Sequence, residues 1–84
     1  MKGLVFTEFF NHIENAYGID MVDDVIDAAQ LGHDGLYTSG GTYPFDEMVA
    51  LVSGLCRVTG RPMPVVLDAF GQHCFAQWVN VAPQ

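Results

Sequence analysis

Apolar residues first recur at helical spacing in Leu4, Val5, Phe9, Ile13 and Ala16, widened into a band by Phe6, Phe10 and Tyr17 and ended at Gly18. This predicts a first helix with Gly18 as its stop. Met21, Val22, Val25, Ile26 and Ala29 repeat the pattern with Asp20, Asp23, Asp24 and Asp27 interleaved. They predict a second helix from about Asp20 to Gln30, its carboxylates toward the start, where the helix dipole favours negative charge. From Leu31 to Tyr43 the period is lost among Gly32, Gly35, Gly40 and Gly41, so this segment reads as a loop with room for one short helical turn.

Pro44 suits a first helical position and Asp46 and Glu47 a first turn. Phe45, Met48, Val49, Leu51, Val52, Leu55 and Val58 then supply an apolar face up to Gly60, which predicts the third helix. Pro62 and Pro64 open a fourth, whose Val65, Val66, Leu67, Ala69, Phe70, Cys74, Phe75, Trp78 and Val79 run nearly to the C-terminus. Gly71 inside it costs about 1 kcal/mol relative to Ala, which points to a close helix contact or to the approach of a ligand there. The expected architecture is all-α, a small bundle of about four helices forming one domain over residues 1–84.

Half of the residues are hydrophobic and only 15% are charged, a balance that favours a packed core over disorder. Ten acidic residues against three basic ones give a net charge of −7, which would repel a phosphate backbone or an anionic membrane surface, so neither nucleic acid nor membrane is expected as a partner. No segment approaches the roughly 18 uninterrupted apolar residues of a membrane span, and Met1 to Tyr17, carrying Glu8, His12 and Glu14, does not read as a secretory signal. Cys56 and Cys74 form no CxxC motif, so the expectation is a cytoplasmic protein with reduced thiols.

The chain carries no nucleophile elbow, HExxH or phosphate-cradling GxxxxGK, and it is not expected to be an enzyme. The four aspartates of the second helix fall on one face without the glycine turn of a calcium loop, as a solvated surface would, and no metal site is expected from them. His12 lies mid-helix beside Phe9 and Ile13, where it reads as a partly exposed, solvent-satisfied side chain, and His33 lies in the glycine-rich loop beside Asp34. His73 and Cys74 share a helix with Phe70, Phe75 and Trp78, and either has the chemistry of an axial haem ligand, although Cys74 also reads as a small buried hydrophobe. The aromatic stripe they sit in suits a helical core as well as the wall of a flat cofactor.

Met1-Lys2-Gly3-Leu4-Val5-Phe6, then Tyr43-Pro44, then Thr59-Gly60-Arg61-Pro62 followed by Ala69-Phe70-Gly71 resemble, in order and spacing, the start of the H-NOX or haem-NO-binding family. The resemblance covers essentially the whole chain. It implies the N-terminal helical subdomain that covers the distal side of a haem, with Val5, Phe9, Cys74 and Trp78 as cofactor-facing pocket walls. The proximal histidine of the family would fall beyond Gln84 and matches none of His12, His33 or His73. The implied function is a haem-based sensor of nitric oxide or another diatomic gas, or a fragment of one, signalling to a cyclase or histidine kinase. The alternative is a haem-free helical interaction or dimerisation module. If haem binds without the family's ligand, His73 or His12 is expected to hold it. The apolar load of the fourth helix further predicts a homodimer whose interface includes Phe9 and Trp78.

Overall fold

The computed structural model describes residues 1–81. Four helices follow in order: α1 (Gly3–Tyr17), α2 (Ile19–Ala29), α3 (Phe45–Thr59) and α4 (Met63–Val81), with no strand among the described residues. The all-α bundle that the apolar spacing predicts is therefore the observed fold. α2 and α3 make the broadest helix pair, α1 lies against α2, and α4 lies across α3 and α1.

Phe6, Phe9 and Ile13 from α1, Val25 from α2, Leu51 and Leu55 from α3 and Val66 from α4 are all buried to within 2% of complete. They are the residues whose 3.6-residue spacing puts them on inward stripes, and removing them from water drives the assembly. Gly54 lets α2 and α3 close: a Cβ there would lie 3.0 Å from the Val25 carbonyl oxygen and 3.3 Å from the Ala29 nitrogen. Arg57 reaches from α3 to donate to the Ala28 carbonyl, satisfying one of the free acceptors at the end of α2.

The boundaries differ from the sequence expectation in small, physically clear ways. Pro44 is extended (φ −61°, ψ 138°) and caps α3 from outside, as its lack of an N–H permits without loss. Only Asp20 of the four aspartates lies in the first turn of α2, so the dipole favours one carboxylate there and the rest face solvent. α3 ends at Gly60, whose left-handed φ of 72° lets its N–H return to the Cys56 carbonyl at 2.8 Å.

The loop between α2 and α3 has no helical turn. It is tied down by the N-terminus instead: the Gly3 N–H donates to the Gly41 carbonyl at 2.8 Å, the Tyr43 N–H to the Met1 carbonyl at 2.8 Å, and Lys2 and Thr42 form an isolated antiparallel bridge. Gly3 is required at this crossing because a Cβ would overlap the Thr38 carbonyl oxygen and the Tyr43 ring.

Candidate functional site

A groove of about 310 Å³ opens between α1 and α4, lined by Leu4, Val5 and Glu8 on one side and by Leu67, Phe70, Gly71, Cys74 and Trp78 on the other. Helical periodicity produces it: Leu4, Val5 and Glu8 lie within one turn of each other on α1, and positions 67, 70, 71, 74 and 78 follow steps of three and four on α4. Three of the four pocket residues expected from the sequence, Val5, Cys74 and Trp78, thus meet in one place. Phe9 stands a layer behind, fully buried, with its ring edge-to-face on Phe70 at 5.1 Å. Complete burial also removes Phe9 from any surface between two copies of the chain, which corrects the expected dimer interface; Trp78, 60% exposed, stays available to one.

Gly71 does not support a close helix contact, because a Cβ added there would meet nothing within 4 Å. It lies open on the groove. Glu8 is the one charged residue in the lining, and Cys74 is its thiol. Burial first, and the nearby Glu8 charge second, push the Cys74 thiol upward from its ordinary pKa, so it stays protonated and apolar in character. A thiolate ligand is disfavoured by the same two causes.

Behind this wall the histidines are engaged with each other. His73 Nε2 is 3.0 Å from Glu8 Oε1, and the rings of His12 and His73 lie 5.3 Å apart. His12 is 8% exposed, contrary to the solvent-satisfied side chain that its mid-helix position suggests. Burial and, next, the neighbouring His73 hold its pKa below the usual histidine value. Neither imidazole lines the groove, so the geometry gives no support to either as a ligand presented to it.

A second cluster fixes the loop, and no sequence signal singled it out. The Gly35 N–H donates to His33 Nδ1 at 3.0 Å, which leaves the proton on Nε2 to donate to Glu47 Oε1 at 2.8 Å. Tyr37 donates its hydroxyl to the same oxygen at 2.6 Å. The Tyr37 and His33 bonds hold the Glu47 carboxyl below its ordinary range, while burial and the Glu47 bond push the Tyr37 phenol far above its own. The participants are 10 and 14 residues apart from Glu47, so no local spacing reveals them. Among the described residues no group of three or more His, Cys, Asp or Glu side chains is arranged to hold a metal ion, and no helix is long and apolar enough to cross a membrane.

The model of the family described as haem-NO-binding matches residues 2–82. Two solved structures from K. algicida are similar to the chain. One is the Fe(II) unliganded H-NOX protein with a single alanine replaced by glycine, 38% identical, with a TM-score of 0.89 over 99% of this chain and 45% of that one. The other is the Fe(II) unliganded H-NOX protein without that change, 37% identical, with a TM-score of 0.87 over 96% of this chain and 44% of that one. A comparison with curated proteins returned no significant match. The chain spans less than half the length of the solved H-NOX structures it matches. H-NOX domains are haem-based gas sensors and not themselves enzymes. From the family match over nearly the whole chain and the shared helical arrangement, this protein belongs to the haem-NO-binding, or H-NOX, family.

Proposed function

We propose that this chain forms the distal wall of a haem pocket in a sensor of nitric oxide or another diatomic gas, with Val5, Cys74 and Trp78 in contact with the cofactor side and Phe9 supporting Phe70 from behind. The observation that carries the reading is the α1–α4 groove, where these residues converge on a lining that is apolar except for Glu8. Such a lining fits one face of a flat, largely apolar macrocycle, and Gly71 leaves open space where the ring would approach. Bound haem supplies the iron that takes up the gas. The chain's own part is to exclude water from that face and to present few hydrogen-bonding groups to it. The bond from protein to iron is assigned to a group outside the groove lining, since His12 and His73 are turned to Glu8 and to each other. A cyclase or histidine kinase as the recipient of the signal rests on family membership alone.

Trp78 is the single tryptophan and lines the groove, so it reports occupancy directly. Haemin added with free imidazole, which serves as the iron's other ligand, is expected to quench Trp78 fluorescence saturably at one equivalent. Val5→Asp is expected to weaken that binding by about tenfold or more, because a charge is costly to bury against an apolar ring. Unsaturable quenching, or quenching indifferent to Val5→Asp, rejects the reading.

A second reading, a docking or dimerisation module, is favoured by the outer face of α4, where Phe75 is 68%, Trp78 60% and Val79 50% exposed. It predicts a dimer at micromolar concentration that Phe75→Ser makes monomeric. A monomer in sedimentation removes it.

A further inference from the structure

Among the described residues of α4 Val66 alone is fully buried, as Val25 alone is in α2, and α4 meets α1 through Phe70 on Phe9 and through the polar contact between His73 and Glu8. That contact is well shielded, with the two side chains 10% and 20% exposed. His12 sits one turn beyond Glu8 on α1, its ring 5.9 Å from Phe70 and 5.3 Å from His73, so all three polar groups meet at the α1–α4 crossing directly behind the groove.

We propose that Glu8, His12 and His73 form a proton-responsive pin that positions α4 against α1, closed while His12 is neutral and loosened when His12 takes up a proton. The chemistry follows from who faces whom. From α1 the titratable neighbours are Glu8 and His12, and from α4 they are His73 and the thiol of Cys74. Glu8 is already engaged by His73, so a proton on buried His12 gains no carboxylate of its own. It places a cation in a shielded site beside a second imidazole, and both burial and His73 act against it. Relief comes from separating α4 from α1, because the His73–Glu8 contact and the two facing imidazoles all lie on that crossing. Glu8 and His73 are positioning residues for the groove wall, and His12 sets the pH at which they let go. The groove is made of α1 and α4, so its width follows the pin; the pin itself does not depend on haem.

The sign is fixed by the direction of the His12 shift. A histidine whose folded-state pKa lies below its unfolded value supports folding fully above that unfolded value, 6.5, and loses this support as pH falls through the folded value. The test is amide hydrogen exchange of the apoprotein between pH 8 and 5, corrected for intrinsic rates, with α2 and α3 as the internal reference. Opening of α4 is expected to rise by up to about tenfold per pH unit, the limit for one linked proton, as pH falls from 6.5 toward the folded-state value of His12 and to level off below it, while the reference helices stay protected. His12→Gln is expected to flatten this dependence. Glu8→Gln, with His12 intact, is expected to loosen α4 already at neutral pH without affecting α2 and α3. Overturning results are a pH dependence that survives His12→Gln, an α4 indifferent to Glu8→Gln, or opening that spreads equally to α2 and α3; if a variant unfolds, the pH profile of the parent chain alone decides between local and global opening.

Discussion

The α2–α3 pair and α4 put their apolar side chains to opposite ends. In the pair, Val25, Leu51, Val52 and Leu55 are buried, the aspartates of α2 face solvent, Arg57 bonds across to the end of α2, and Gly54 lets the backbones meet. α4 carries apolar side chains around its circumference, of which Val65, Leu67, Phe75, Trp78 and Val79 stay 46–68% exposed. The first arrangement is what a helix needs to fold. The second exceeds what folding needs, and a helix that is apolar all round is made to be covered on more than one side. In this protein the region that holds the fold and the region that offers a surface are largely separate.

The sharpest way to break this contrast is to truncate one side chain from each region. Phe9→Ala is expected to destabilise the chain by about 3–5 kcal/mol in urea unfolding, since it leaves a cavity under Phe70 and beside Phe10. Phe75→Ser should change stability by less than about 0.5 kcal/mol, as an exposed side chain contributes little. Comparable losses would contradict the division. Next in size is Gly54→Leu, expected to cost about 1–3 kcal/mol by forcing α2 from α3, with thermal unfolding as the measurement. An unchanged melting temperature would mean that the close approach is not needed.

Smaller again is the loop clamp. Glu47→Gln is expected to cost about 0.5–1.5 kcal/mol at neutral pH by weakening the bonds from Tyr37 and His33. Its carboxyl is held below the ordinary value of 4.5, so its contribution is present above that pH and is lost as pH falls through the folded value. The stability difference between Glu47→Gln and the parent should therefore shrink on acidification below pH 4.5. A constant difference would place the effect elsewhere.

Much of the bundle was legible because helical spacing is local: every helix appears where Leu4 to Tyr17, Met21 to Ala29, Phe45 to Val58 and Val65 to Val79 repeat at three and four. Val5, Cys74 and Trp78 were found through a family likeness, and the structure brings those three to one groove. The spacing could not tell that Phe9 lies behind Phe70, because lining and supporting layers share the same stripe of α1. Nor could it reveal the Glu8–His73 contact across 65 positions, or the burial of His12, since both depend on the angle at which α4 crosses α1. Gly71 left two readings, a close helix contact or the approach of a ligand, and the open space beside it removes the first.

The central claim is that the α1–α4 groove, and not another apolar depression, receives the cofactor. A second candidate exists in the cleft of about 160 Å³ lined by Phe45, Met48, Val49, Val52, Met63 and Leu67 between α3 and α4. Paramagnetic broadening of backbone amide signals by ferric haemin, with imidazole present, separates the two most directly. Broadening centred on Val5, Gly71, Cys74 and Trp78, with Phe45 and Val49 unaffected, is the predicted result; broadening centred on Phe45, Val49 and Met63, or spread evenly over the surface, would contradict it.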